Sequence, residues 1–129
     1  MAVEPGLSAS VTIVVGPADT ATAIGSGDVD VLATPMVVVL AERAAVAAVH
    51  GHLVGGQTTV GSAVQLTHLA PCPIGTSVAA DAVLESVEGR RLVFKVSVND
   101  DRGLVAAGYV TRVVVDRARF VERNSTAHA

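Results

Sequence analysis

Apolar residues recur along the chain with two spacings, and the change of spacing divides it into elements. In the second half they alternate with polar ones. Val78, Ala80, Ala82 and Leu84 share one parity while Asp81 and Glu85 take the other, and Leu92, Phe94, Val96 and Val98 stand against Arg91, Lys95 and Ser97. A period of two turns one side of a strand to the core and the other to water. Strands are predicted over residues 57–69, 76–88, 91–99 and 104–115. They are broken at Pro71-Cys72-Pro73 with Gly75, at Glu88-Gly89 and at Asp100-Asp101-Arg102-Gly103. In the first of these, Val60, Val64, Leu66 and His68 fall on the core-facing parity, with Gly61, Gln65 and Thr67 opposite. The last is apolar on both parities, which suits a strand inside a sheet or near a subunit boundary. A β-branched run at 11–15 predicts an earlier strand, ended by Gly16-Pro17. Residues 1–9 read as a frayed end and 19–30 as a loop.

Between these lies a different pattern. Residues 36–49 are almost wholly apolar, with Ala at 41, 44, 45, 47 and 48 and only Glu42 and Arg43 charged. Thr34-Pro35 reads as a helix start, with Thr34 as N-cap and Pro35 at the first helical position. Gly51 reads as the C-terminal stop. A helix apolar nearly all round is buried on most sides. Short turns make sequential strands antiparallel. The expected class is therefore α+β: an antiparallel sheet curled around one long central helix.

The length of 129 residues fits one domain over 1–129, with its ordered core at about 10–122. Half the residues are hydrophobic, yet there is no Trp, one Tyr and two Phe. A core of Ala and Val has few large anchors, so association of copies is expected to add burial. The net charge of −3 and the lack of stacking aromatics argue against nucleic acid. No apolar stretch is long enough to cross a bilayer and the first residues do not read as a signal peptide. The single cysteine, Cys72, cannot form an internal disulfide. A soluble cytoplasmic protein without membrane or nucleic-acid partners is expected.

Three residues stand out chemically. Glu42 is a carboxylate in an apolar helix. It is costly unless partnered, and desolvation would raise its pKa. It is either a working carboxylate or one paired with Arg43 or facing water. His68, on the helix-facing parity, is either a catalyst or a hydrogen-bonded core residue. Thr34 is a sufficient N-cap, and its hydroxyl could equally bind a carbonyl or act as a nucleophile beside a base. Eight helical steps set Thr34 and Glu42 roughly 80° apart and about 12 Å along the axis, able to line one groove without touching. His50 and His52 have no Cys or acidic neighbour to suggest a metal site. Arg90, Arg91, Lys95 and Arg112 could meet phosphates, or simply solvate a sheet face.

Several segments resemble the fluoroacetyl-CoA thioesterase family of hotdog proteins. They are Ala33-Thr34-Pro35-Met36 with Leu40-Ala41-Glu42, the run from Leu66-Thr67-His68 to Pro73-Ile74-Gly75, and Val87-Glu88-Gly89-Arg90-Arg91-Leu92 followed by Val96-Ser97. The resemblance runs from about Ala33 to Val115. It implies a hotdog fold, a homodimer with sites at the subunit boundary, and a catalytic group of Thr34, Glu42 and His68. It also implies substrate contacts from Gly61, through its amide, and from Arg112. The implied reaction hydrolyses a small acyl-CoA to acid and coenzyme A, with no metal or cofactor beyond the coenzyme A of the substrate. Two rivals share the fold: a non-catalytic acyl-CoA binder and an enoyl-thioester hydratase or dehydratase. Residues 20–28 depart from the family, being shorter there and free of aromatics, so selectivity for the fluorinated substrate is not implied.

Overall fold

The computed structural model describes residues 2–125. Five strands form one antiparallel sheet: β1 (Ser8–Val14), β2 (Gln57–His68), β3 (Ser77–Glu88), β4 (Arg91–Asp100) and β5 (Gly103–Asp116). Their order across the sheet is β1-β3-β4-β5-β2. The edges are thus the first strand and the one that follows the long helix. Of the helices, α1 (Ala21–Ile24) is a single turn, α2 (Thr34–Val49) is the long one, and α3 (Arg117–Ser125) follows β5.

The alternating pattern of β3 and β4 is realised in full. Val78, Ala80, Ala82 and Leu84 are buried, as are Leu92, Phe94, Val96 and Val98. They meet Val37, Leu40, Ala41, Ala44, Ala45, Ala48 and Val49 of α2 in one core. Ala on the contact face lets the helix lie close to the sheet. The larger buried side chains carry most of the drive, roughly 1.5–3 kcal/mol for each Leu, Val or Phe. Turns β3–β4 and β4–β5 fall where the charged Gly-containing segments predicted them. β5 is an inner strand, between β4 and β2. This is the hotdog arrangement the pattern predicts.

Several expectations need correction. Residues before β1 are not frayed: the Gly6 amide donates to the Leu84 carbonyl and the Leu84 amide to the Leu7 carbonyl, so β1 starts at Ser8. The 19–30 segment is not plain loop. It starts at the end of a 3-10 turn, Pro17–Asp19, and holds α1, capped by the buried Thr20, whose hydroxyl accepts from the Ala23 amide at 3.2 Å. The regular elements reach Ser125, past the expected limit near 122. Finally, α2 is not buried on most sides. Val39 is only half-buried, and Val46 and Ala47 are exposed.

One irregularity positions the site. In the β2–β5 ladder the register shifts between Gly61 and Ala63, so Ser62 is an extra residue. Its hydroxyl donates to the Thr111 carbonyl at 3.3 Å. An extra residue reverses which side chains face the core. Beyond the bulge, Val64, Leu66 and His68 lie opposite Val110, Gly108 and Ala106, on the inner side. Before it, Thr59 and Gly61 lie opposite the buried Val114 and Arg112, and Val60 opposite Val113. Val60 therefore faces outward, against the expected parity, and Gly61 faces inward.

Candidate active site

Thr34 is the first residue of α2. The N-cap is Ala33, with no side-chain capping bond, and Pro35 follows within the first turn. Capping does not occupy the Thr34 hydroxyl, contrary to the expectation from Thr-Pro. Its Oγ1 lies 2.8 Å from His68 Nδ1, at the last position of β2. Helix start and strand end are thus tied by one hydrogen bond. The other ring nitrogen, His68 Nε2, is buried and has no hydrogen-bond partner among the described residues. A buried imidazole nitrogen without a partner is uncommon, and such atoms often mark a place where another molecule binds. The pair lines a cavity of about 330 Å³ together with Ala21, Ser26, Leu69 and Pro71. The short segment with α1 forms one wall, and no aromatic side chain lines it.

Two turns along α2, Glu42 is neither paired with Arg43 nor simply turned to water. Its Oε2 accepts from Arg112 Nη1 at 2.7 Å. Arg112 comes from the inner face of β5. Its Nε donates to Thr59 Oγ1 at 2.9 Å and its Nη2 to the Thr59 carbonyl at 3.0 Å. The Arg112 side chain is 10% exposed and that of Glu42 is 34% exposed. The carboxylate thus has a buried cation behind it and solvent in front. It sits directly on Gly61: a Cβ built there would collide with Glu42 Oε2 and lie 3.3 Å from Arg112 Nη1. Glu42 also borders an open groove of about 580 Å³ lined by Val39, Arg43, Val46, Ala47 and His50.

The five residues singled out by sequence therefore gather into two groups where α2 faces β2 and β5. Thr34 and His68 make one; Glu42, Gly61 and Arg112 make the other. Within one chain Glu42 borders one cavity and the Thr34–His68 pair another. Thr59 was missed. Its signal was its place two residues before Gly61, on the same face of the strand, but an unbroken alternation hides that face.

Of the other residues considered, Cys72 is buried, with Sγ 3.7 Å from Asp100 Oδ2. Arg91 makes a loose exposed pair with Glu88 at 3.9 Å. Among the described residues no group of three or more His, Cys, Asp or Glu side chains is placed to hold a metal. No described helix is long and apolar enough to cross a membrane.

Comparison with known proteins bears on this geometry. The profile of the fluoroacetyl-CoA-specific thioesterase family matches residues 15–118. A fluoroacetyl-CoA thioesterase of Streptantibioticus cattleyicolor is 38% identical over 91 residues, which span 70% of this chain and 66% of that protein. A solved structure of a fluoroacetyl-CoA thioesterase superposes with a TM-score of 0.91 at 30% identity, covering 98% of each chain. A variant solved with acetyl-CoA matches with a TM-score of 0.91 at 29% identity, covering 98% of this chain and 100% of that one. A thioesterase superfamily member of Thermus thermophilus matches with a TM-score of 0.90 at 28% identity, covering 97% and 93%.

Proposed function

The chain belongs to the fluoroacetyl-CoA-specific thioesterase family, and from that premise we infer that it hydrolyses a short acyl-CoA thioester to a carboxylic acid and coenzyme A. The observation that carries the reading is the anionic side of Glu42, pinned by Arg112 over a residue without a side chain and open to a groove.

The chemistry asks for three things: an attacking oxygen, donors for the oxyanion, and a proton for the departing thiolate. Glu42 supplies the first. It either takes a proton from water as the water oxygen attacks the carbonyl carbon, or attacks as a carboxylate to give an anhydride that water then opens. Both routes need the ionised form that Arg112 pairs. The Gly61 amide, at the same spot, is the proposed oxyanion donor. The C–S bond breaks as the tetrahedral intermediate collapses, in the first route to the acid and in the second to the anhydride. The departing thiolate sulfur takes a proton from His68, which Thr34 orients. The water consumed in hydrolysis restores that proton to His68, through Glu42 in the first route and directly as it opens the anhydride in the second.

Two features favour a homodimer. The stripe of Val39, Val46 and Ala47 on α2 lies uncovered, and β2, which carries half of the site, is a free sheet edge. Glu42 and the Thr34–His68 pair line different cavities within one chain. We propose that each site takes Glu42 from one subunit and Thr34 with His68 from the other. No aromatic side chain stands over the Thr34–His68 cavity, so little separates fluoroacetyl- from acetyl-CoA. One fluorine shifts pocket energetics only slightly without a dedicated gate.

The test is a panel of short acyl-CoAs with a thiol reagent, run on the wild type and Glu42→Gln. Thiol release by the wild type, falling at least ~100-fold in Glu42→Gln, is expected. Preferences between acetyl- and fluoroacetyl-CoA should stay modest. Binding without thiol release would leave a non-catalytic acyl-CoA protein. Loss of crotonyl-thioester absorbance without thiol release would indicate a hydratase. Near wild-type turnover in Glu42→Gln would remove that residue from the mechanism.

A further inference from the structure

Resting on that reading, we propose that Thr59 is a positioning residue: through Arg112 it fixes which oxygen of Glu42 reacts, and the missing side chain of Gly61 is the seat that makes this possible. Thr59 offers Arg112 two acceptors, its hydroxyl at 2.9 Å from Nε and its carbonyl at 3.0 Å from Nη2. Two bonds to one edge of a planar guanidinium hold it in plane and in rotation. The remaining nitrogen, Nη1, then points one way, to Glu42 Oε2 at 2.7 Å. Oε2 is occupied. Among the described residues no hydrogen bond reaches Glu42 Oε1, which leaves it as the reacting oxygen.

The strand supplies the rest. Thr59 and Gly61 share the inner face before the Ser62 bulge, opposite Val114 and Arg112. The carboxylate rests where a Gly61 Cβ would be, so any side chain there would push Glu42 away from Arg112. Thr59 makes no hydrogen bond to Glu42; it bonds Arg112 and lines the cavity next to the Glu42 groove, with Val46 and His50 shared between the two. The proposed effect passes through Arg112, so it should appear in kcat and not in substrate affinity, which distinguishes it from a residue that binds substrate.

Thr59→Val keeps the shape and removes the hydroxyl acceptor; Thr59→Ser keeps the acceptor and removes the methyl group. A carboxylate left to swing by an ångström loses attack geometry, which is costly in rate. Thr59→Val is expected to lose kcat by about 10-fold or more, with the dissociation constant of a non-hydrolysable acetyl-CoA thioether within about 2-fold of wild type. Thr59→Ser should recover kcat to within about 3-fold. Unchanged kcat in Thr59→Val, a loss that Thr59→Ser does not recover, or a parallel loss of thioether binding would each overturn the proposal.

A second measurement needs no turnover. In a double-mutant cycle on urea denaturation, Thr59→Val and Glu42→Gln should be non-additive although no hydrogen bond joins the two side chains, because Arg112 bonds both and couples them. Additive midpoint shifts would refute the clamp. A wild type inactive on every acyl-CoA would refute the thioesterase reading while the cycle still decides the clamp.

Discussion

Cys72 shows how burial sets the chemistry of one side chain. It lies between two prolines, fully buried, and burial pushes its thiol up to about 11, with the nearby Asp100 carboxylate adding to the effect. The thiol is therefore protonated and unreactive at neutral pH. An unfolded cysteine releases its proton near 9.0, so between about 9 and 11 the native state holds a proton that the unfolded state has lost. Stability contributed by this group must fall as pH rises through that window, and it is flat below. Urea unfolding at pH 8 and pH 10.5 should show a larger loss for the wild type than for Cys72→Ala; equal losses would contradict this. Glu42 and His68 stood out as candidates because each is a polar group in an apolar pattern, and Thr34 because it is a hydroxyl at a helix start. Glu42's partner was not. Arg43 is adjacent in sequence, but adjacent helical residues point to different faces. The real partner, Arg112, is 70 positions away, and no local spacing rule reaches that far. The partner also alters what Glu42→Gln does to stability. A lone desolvated carboxylate would be relieved by neutralisation, whereas here a buried guanidinium loses its counter-charge.

Among the elements, α2, β3 and β4 were read almost to their ends: α2 from its unbroken apolar run, β4 from a clean alternation, and β3 from one that holds up to the irregularity between Leu84 and Ser86. The weaker readings share a cause. β1 begins before its β-branched run because pairing with β3, not propensity, holds Ser8–Ser10 extended. α3 has a polar sequence with no buried residue, and so no apolar stripe to announce it. The β2 bulge is invisible to alternation because an extra residue resets the count. β2 is also held by an unusually close backbone contact. A Cβ at Gly108 would run into the Gln65 carbonyl oxygen, which is backbone and cannot rotate aside. Gly108→Ala should force the two strands apart and destabilise the protein by about 1–3 kcal/mol. Because β2 carries Thr59, Gly61 and His68, activity should fall further than stability accounts for. Thermal melts and turnover on the same preparation check this, and an unshifted melting temperature would count against it.

In the proposed dimer the two polar groups meet across the subunit boundary. If Glu42 of one subunit serves Thr34 and His68 of the other, two inactive variants can rescue each other. Equal mixing of Glu42→Gln and His68→Ala chains, with subunit exchange, would make half the dimers mixed, each with one intact site. Activity should recover to about a quarter of the wild type. No recovery, with mixed dimers verified by mass, would place all three residues in one subunit. The strand that holds Thr59, Gly61 and His68 is also the open edge of the sheet, so assembly through that edge would draw on the same backbone as turnover. A chain whose reactive groups are split this way gauges its own abundance. On that proposal, the crowded chain would be a catalyst; diluted below the point where pairs persist, it would fall silent without any inhibitor, and specific activity would become a readout of how much of it is present.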